Sequence, residues 1–251
     1  MRTQASSGCF FVQLLIAVIV LSASPLYSQQ LTMIQHSTKD FGVNWVGPVK
    51  LDDGSLLYGT DNGQLVHARV ENGSYELIDV GTCADLTAIS TNGRYVIVGD
   101  HDGVVHVSSD LGRTWRSVAL NDGPIKATTS SAETRAFIGT SSGSVVSLDP
   151  AELTYEVLFH DGSAEIVWMD DSREVTLVAF RYGRLLHSSD KGQTWSQFRH
   201  DSSHDFVSGH RYDDSTIIMG GYLTSVFISR DQGATFTKAT PIKTYSDTWA
   251  G

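Results

Sequence analysis

The residues best suited to chemistry in this chain are carboxylates that recur at a fixed interval. Asp85, Glu165 and Asp205 lie 80 and 40 residues apart, each at the start of a short, largely apolar run. A ring of such carboxylates could bind a metal ion or a cationic group, and a pair about 5–10 Å apart could hydrolyse a glycosidic bond. Acidic residues are also common solvated turn formers. The pattern leaves a binding, a hydrolytic and a structural role open.

A second set of polar and aromatic residues lies in the turn-rich segments between the apolar runs. We predict that they form a candidate ligand face, which consists of Asp61, His101, Asp102, His160, Asp161, Arg181, Tyr182, His200, His204 and Tyr222. Histidine side chains can ligate metals. Exposed loop residues are nevertheless the simpler interpretation, and we expect no bound metal or cofactor.

These residues are positioned by a repeat of about 40 residues. A signature of two β-type runs around a turn begins at Tyr58, Val98, Ile138, Val178 and Met219, in steps of 40, 40, 40 and 41. Fixed periods of this length are typical of solenoids, propellers and other repeat arrays. We therefore take the repeat as the main evidence for the fold.

Each repeat contains four short runs rich in Val, Ile, Thr and aromatic residues, with turn residues between them. In the second repeat the runs are approximately Asp85–Thr91, Tyr95–Gly99, Val104–Ser108 and Trp115–Leu120. No segment after residue 30 has a helical period of apolar residues. The sequence predicts an all-β fold, a β-propeller with five complete four-stranded blades. In this fold the carboxylates and the ligand face meet at one mouth of the central channel.

An eight-residue phrase of the form Ser-x-Asp-x-Gly-x-Thr-Trp occurs at Ser108–Trp115 and Ser188–Trp195, and with a final Phe at Ser229–Phe236. We expect its aspartate to accept hydrogen bonds within its own turn, its glycine to adopt positive φ, and its aromatic residue to pack between sheets. The residues with this structural role are Asp110, Gly112, Trp115, Asp190, Gly192, Trp195, Asp231, Gly233 and Phe236. Degraded phrases in the other two repeats end at Tyr75 and Tyr155, for which we predict the same packing position.

The phrase resembles the Asp-box, or bacterial neuraminidase repeat. Propellers of this kind include sialidases, sortilin-type receptors, xyloglucanases and photosystem II stability and assembly factors, and the likeness is nearest to the last. The resemblance implies that the box joins the third and fourth strands, on the side opposite the usual binding face. A sialidase would need an Arg-Ile-Pro motif near the first strand, where this chain has Gly42–Pro48 without an arginine. Arg181 is the single arginine that we place on the ligand face, so the resemblance to sialidases is limited to the boxes.

The N-terminal segment, residues 1–28, has the features of a secretory signal peptide. Arg2 precedes a 14-residue apolar run, Phe10–Ala23, which is shorter than the roughly 18–20 residues that span a bilayer. We expect cleavage after Ser28, export to the periplasm, the cell surface or the medium, and a propeller domain over residues 29–251. An uncleaved segment would instead anchor the protein in a membrane.

The propeller domain has an incomplete repeat at its ends. Leu31–His36 resembles the fourth strand of a blade, and a sixth repeat begins near Asp247. These segments predict a partial closing blade, and favour a C-terminally truncated sequence, or a fragment, of a six- to eight-bladed propeller. The alternative is a five-bladed protein with a two-stranded seam.

The charge of the chain limits its partners. The formal net charge is −10, and loss of Arg2 with the signal peptide would make it one unit more negative. This argues against nucleic acid as a partner and suits cations or basic partners. The sequence favours a secreted, non-enzymatic propeller, similar to a scaffold or assembly factor, that binds a protein, peptide or glycan at the channel mouth. The alternative is an exported glycoside hydrolase that uses Asp85 with Glu165 or Asp205.

Overall fold

The computed structural model describes residues 46–132, 134–172, 174–198, 205–221 and 225–239. The predicted signal peptide, the predicted closing blade, His200, His204 and Tyr222 lie outside these residues. Within the described segments, no helix has both the length and the apolar character needed to cross a bilayer.

In the residues that the structure describes, twenty strands form five antiparallel sheets of four strands, and the strands of each sheet follow their order in the chain. Blade 1 contains β1 (Val46–Lys50), β2 (Leu56–Gly59), β3 (Gln64–Arg69) and β4 (Ser74–Asp79). Blade 2 contains β5 (Leu86–Thr91), β6 (Val96–Asp100), β7 (Val104–Ser108) and β8 (Arg116–Ala119). Blade 3 contains β9 (Ile125–Ala132), β10 (Arg135–Thr140), β11 (Ser144–Leu148) and β12 (Tyr155–His160).

Blade 4 contains β13 (Ile166–Asp170), β14 (Thr176–Phe180), β15 (Arg184–Ser188) and β16 (Ser196–Phe198). Blade 5 contains β17 (Phe206–Arg211), β18 (Ile217–Gly221), β19 (Val226–Ser229) and β20 (Thr237–Lys238). The first strands of successive blades contact one another in the order β1, β5, β9, β13 and β17. The predicted all-β propeller with five four-stranded blades is confirmed. In blade 2 the predicted strand ends lie within one residue of the observed ones.

The apolar core lies between the blades, and both faces of the second strands of blades 2, 3 and 4 are buried. Val96 and Val98 of β6 belong to the cluster between blades 1 and 2, whereas Ile97 belongs to the cluster between blades 2 and 3. Similar clusters join blade 3 to blade 4 around Ile166 and blade 4 to blade 5 around Phe206. Because successive side chains of a strand point to opposite faces, a strand between two neighbours is apolar on both.

Small residues in the second strands allow neighbouring blades to approach closely. A Cβ atom added at Gly99 would lie 2.2 Å from Cγ2 of Ile125, the first residue of the next blade's inner strand. At Gly139 the corresponding distance to Ile166 Cγ2 is 2.6 Å. At Gly59 the nearest atom is Leu86 Cβ, at 3.2 Å. The glycines leave the space that the next blade's aliphatic residue fills.

The three eight-residue phrases form turns with the same hydrogen bonds. In the first, Thr114 donates to Asp110 through its backbone N–H (2.8 Å) and its hydroxyl (2.7 Å), and Gly112 has φ of 88°. The buried hydroxyl of Ser108 accepts the N–H of Gly112 at 2.7 Å and donates to Asp110 Oδ1 at 2.8 Å. The turns that start at Ser188 and Ser229 repeat this arrangement. The leading serine thus holds the turn together through two hydrogen bonds, in addition to those of the aspartate, and the sequence analysis did not identify this role.

The aromatic residues of these phrases pack where neighbouring blades meet. Trp115, Trp195 and Phe236 are partly buried against the clusters that join each blade to the preceding one. The prediction for the degraded phrases is wrong, because Tyr75 and Tyr155 are 45% and 42% exposed. In blade 3, Leu153 packs against the interblade cluster instead.

The first testable consequence concerns the close approach of blades 2 and 3. We expect Gly99→Ala to lower the free energy of unfolding by about 3 kcal/mol, because overpacking a filled core forces the backbone or Ile125 to move. Gly59→Ala, with its longer contact to Leu86, is the matched control and should cost under about 1 kcal/mol. Urea unfolding of both variants measures the difference, and equal effects would contradict this account of the spacing.

A second prediction concerns the acid sensitivity of the phrase turns. Hydrogen bonds from the side chain and backbone of Thr194, and from Ser188, lower the pKa of Asp190 from 3.8 to about 2. A depressed folded-state pKa stabilises the protein above the unfolded value, and this stabilisation is lost as pH falls from about 4 to about 2. We expect Asp190→Ala to lower the melting temperature at pH 7 by about 3–8 °C.

The difference from wild type should shrink as pH falls through that window, which a series of thermal melts would measure. Asp102→Ala is the control, since Asp102 is exposed on a different turn. A melting temperature of Asp190→Ala equal to that of wild type at pH 7 would rule out the structural role of the carboxylate.

Candidate functional site

Two kinds of segment meet at one edge of the blades: those that lead into the first strands and the turns between the second and third strands. Backbone hydrogen bonds of 2.9 Å join them, from His101 N–H to Asp85 O and from Arg181 N–H to Glu165 O. A third such bond, from Ser141 N–H to Pro124 O, is also 2.9 Å long. We call this edge the channel-mouth face and include in it the first residues of the first and third strands. It contains the described members of the predicted ligand face and the three predicted carboxylates.

Two of these carboxylates support turns of the preceding blade. Asp85 Oδ1 accepts the N–H of Asn62 at 3.3 Å, and Asp205 Oδ1 accepts the N–H of Tyr182 at 3.0 Å. Asn62 and Tyr182 have positive φ values of 63° and 65°, a conformation that costs free energy in residues other than glycine. Each carboxylate therefore helps to fix a left-handed turn across a blade boundary.

Glu165 lies in a row of alternating charges that crosses three blades. Its carboxylate is ion-paired with Arg181 of its own blade and lies 3.2 Å from Lys126 Nζ of blade 3. Arg181 Nε also lies 3.9 Å from Asp205 Oδ1 of blade 5. These pairs are partly exposed, so their contribution to stability is screened and small. Their main effect is to neutralise one another and to hold the inner rim of the face.

The three carboxylates that recur in the sequence thus have different local partners. Asp85 and Asp205 accept backbone N–H groups, and Glu165 is paired with two cations. Among the described residues, no group of three or more His, Cys, Asp or Glu side chains could hold a metal ion. The three carboxylates therefore hold neighbouring parts of the protein together at this rim.

A polar cluster at the boundary of blades 2 and 3 surrounds Asp122. Burial alone would raise the pKa of Asp122, but hydrogen bonds from Ser142, Ser144 and Thr140 outweigh it and the pKa lies below its usual value. Thr140 Oγ1 donates to Asp122 Oδ2 at 2.8 Å. The buried hydroxyl of Ser144 lies 2.7 Å from Nδ1 of His160, whose ring is exposed. The His160 ring is therefore held in place by Ser144 and is still exposed to solvent.

Asp161 is engaged with the neighbouring third strand. It is ion-paired with Arg184, whose guanidinium carbon lies 5.5 Å from the ring centroid of Phe159 and 5.0 Å from that of Phe180. Burial lowers the pKa of Arg184. A guanidinium over two aromatic rings and against a carboxylate is a cation–π arrangement that restrains all of these side chains.

The remaining predicted residues are more open to solvent. Tyr182 is 64% exposed, His101 and Asp102 are exposed, and Asp61 is half-buried. In the described part of the chain, neither the His101 ring nor the Asp102 carboxylate has a described hydrogen bond or ion pair. On the described part of the channel-mouth face, Tyr182, His101, Asp102 and the exposed side of the His160 ring are therefore open to contact with a ligand.

The face has an acidic surplus because its cations are already neutralised. Across the described residues of the face, the cations Lys126, Arg181 and Arg184 are all ion-paired with carboxylates. Most other described cations lie near the opposite edge, some in turns, such as Arg94, Arg113 and Lys191, and others at strand ends. The sequence analysis missed Lys126, Arg184 and Ser144. Extending the repeat register by one or two residues would have placed them beside the predicted site.

No known protein-family profile matches the chain, and no curated protein matches it. Solved structures with similar folds include YCF48 bound to a D1 peptide, with 12% identity, a TM-score of 0.60 and coverage of 78% of this chain and 72% of that one. A chain of the nidogen/laminin complex has 9% identity, a TM-score of 0.64 and coverage of 78% and 79%.

The WD40 repeats of RRP9 have 14% identity, a TM-score of 0.65 and coverage of 72% of this chain. The match spans 58% of the RRP9 chain, less than two thirds of its length. At these identities the similarity shows the fold alone: this chain folds as a β-propeller.

Proposed function

We propose that this chain is an exported binding module of the Asp-box type, whose channel-mouth face is non-enzymatic and takes a protein, peptide or glycan. Its role would be that of a scaffold or assembly factor, and its partner would be cationic in the contacting segment. The Ser-x-Asp-x-Gly-x-Thr phrases support the Asp-box assignment, and residues 1–28 support export.

The observation that carries the proposal is the state of the charges on the channel-mouth face. Its cations are neutralised internally, whereas Asp102 and the exposed Tyr182 and His101 are open to solvent. An acidic face with exposed aromatic residues favours positively charged partners through electrostatic complementarity. Binding needs no rearrangement of the carboxylates that brace the turns.

Proteins of similar fold support a polypeptide partner. YCF48 is described with a bound D1 peptide, and another similar chain belongs to a nidogen/laminin complex. The resemblance of the phrases to those of photosystem II assembly factors points in the same direction. The acidic charge of this chain gives no reason to expect the same partner.

The test is a selection from a displayed random-peptide library, followed by affinity measurements with the selected peptides. We expect selected peptides to be rich in Lys and Arg. The double variant Asp102→Lys/Tyr182→Ala should weaken their binding at least about tenfold, as loss of an exposed charge contact and an aromatic contact predicts. Glu152→Lys, an exposed charge reversal on the opposite edge, is the matched control and should leave affinity nearly unchanged.

Two results would contradict the proposal. Selected peptides whose binding is unaffected by the double variant would place the binding surface elsewhere on the protein. A library that yields only acidic peptides would overturn the predicted charge of the partner.

The glycoside hydrolase alternative has its own experiment. Wild-type protein is incubated with a panel of polysaccharides, and reducing ends are counted against the Glu165→Gln variant. We expect no turnover by either, because Glu165 and Asp85 have structural partners in the rim. Turnover by wild type that Glu165→Gln abolishes would replace the binding proposal with an enzymatic one.

A further inference from the structure

Three side chains of blade 2, outside the residues proposed to bind a partner, are hydrogen-bonded in series. Asp100 at the end of β6 is fully buried, His106 of β7 is buried, and Ser117 of β8 is exposed. Asp100 Oδ2 lies 3.0 Å from His106 Nε2, and His106 Nδ1 lies 2.8 Å from Ser117 Oγ. The order is carboxylate, imidazole, hydroxyl, with the hydroxyl at the surface.

The buried carboxylate determines which nitrogen of the neutral imidazole carries the proton. An ionised carboxylate only accepts hydrogen bonds, so Nε2 of His106 donates to Asp100. Nδ1 is then an acceptor for the hydroxyl proton of Ser117. Asp100 is fixed in turn, because its Oδ1 accepts the N–H of Val104 at 2.8 Å. An oriented base beside a hydroxyl is the arrangement that activates a serine.

The sheet register explains why these residues meet. His106 lies opposite Val98 on β6 and opposite Ser117 on β8, and directly opposed residues share a face. Val98 belongs to the cluster between blades 1 and 2, so the imidazole lies on the blade 1 side of its sheet. Ser117 is on the outermost strand, where a reagent can reach it without opening the core.

We propose that Ser117 is a nucleophile, with His106 as its general base and Asp100 as a positioning residue, and that it accepts acyl groups from activated carboxylic esters. The Ser117 oxygen attacks the carbonyl carbon while its proton moves to Nδ1 of His106. The ester C–O bond then breaks, and the leaving alkoxide takes that proton from His106. Water, deprotonated by the same nitrogen, releases the carboxylic acid and restores the serine.

The test uses the purified protein and an alkyl fluorophosphonate that carries biotin, which reacts with activated serines. Attack by Ser117 forms an O–P bond and breaks the P–F bond, so that fluoride leaves and the hydroxyl proton goes to His106. Tandem mass spectrometry locates the adduct, and its rate of formation is followed by intact mass. We expect one adduct, on Ser117, and none on the Ser117→Ala variant.

Asp100→Asn tests the role of the carboxylate. The N–H of Val104 keeps the amide oxygen on its side, so the amide NH₂ faces Nε2 of His106 and moves the ring proton to Nδ1. Ser117 then has no base, and labelling should fall at least about a hundredfold. His106→Gln removes the base in another way, and circular dichroism melts show whether each variant is folded. The two variants together keep the test informative if one of them does not fold.

A matched control is Ser74, which is also exposed on an outermost strand but donates its hydroxyl to Asn72 Oδ1 at 2.7 Å. Ser74→Ala, and the channel-mouth variant Asp102→Lys/Tyr182→Ala, should be labelled like wild type. The proposal is overturned if folded wild type forms no adduct at Ser117. It is also overturned if folded Asp100→Asn or His106→Gln is labelled at the wild-type rate.

Discussion

The close approach of one blade to the next is the constraint on which the rest of this structure depends. The first residue of an inner strand, such as Ile125, lies over a glycine in the second strand of the preceding blade, where a Cβ atom has no room. This contact sets the distance and the angle between blades. The atoms on both sides of it, the glycine backbone and the β-branched carbons of the aliphatic residue, are buried in a close-packed core and cannot move apart easily. Any larger side chain at Gly99 or Gly139 would push the inner strands apart, and the effect would pass to every loop at their ends.

The channel-mouth face follows from that spacing. Asp85 and Asp205 can accept N–H groups from the preceding blade's turn only while the blades are at their observed separation. These hydrogen bonds stabilise turns in which Asn62 and Tyr182 have positive φ. Tyr182 is exposed at the mouth because the turn beneath it is held across a blade boundary. The surface offered to a partner is therefore a product of interblade packing.

The fold was predictable from the sequence because the repeat is local and regular. Steps of about 40 residues, with four β-type runs in each, gave strand ends in blade 2 that agree with the structure to within one residue. The glycines at 59, 99 and 139 were also visible at one offset of the repeat, but their reason lies in a contact with the next blade. The site was harder to predict, since Glu165 occupies the same repeat position as Asp85 and Asp205 yet pairs with two cations. Tyr75 and Tyr155 were misplaced because their turns lack the spacing of the complete phrase: Gly73 lies only two residues before Tyr75, and the turn before Tyr155 contains no glycine.

Equivalent positions of the repeat thus perform the same structural task with different chemistry. The last residue of the second strand accepts the N–H of the first residue of the third strand in two blades, through Asp100 and Thr140. A threonine hydroxyl is enough for this task, as Thr140 demonstrates. The carboxylate of Asp100 performs this task with Oδ1, and its second oxygen, Oδ2, is hydrogen-bonded to His106. A buried charge costs free energy unless it is fully hydrogen-bonded, so a carboxylate where a hydroxyl suffices needs a further reason. The geometry supplies such a reason, because the hydrogen bonds lead from Asp100 through His106 to the exposed hydroxyl of Ser117.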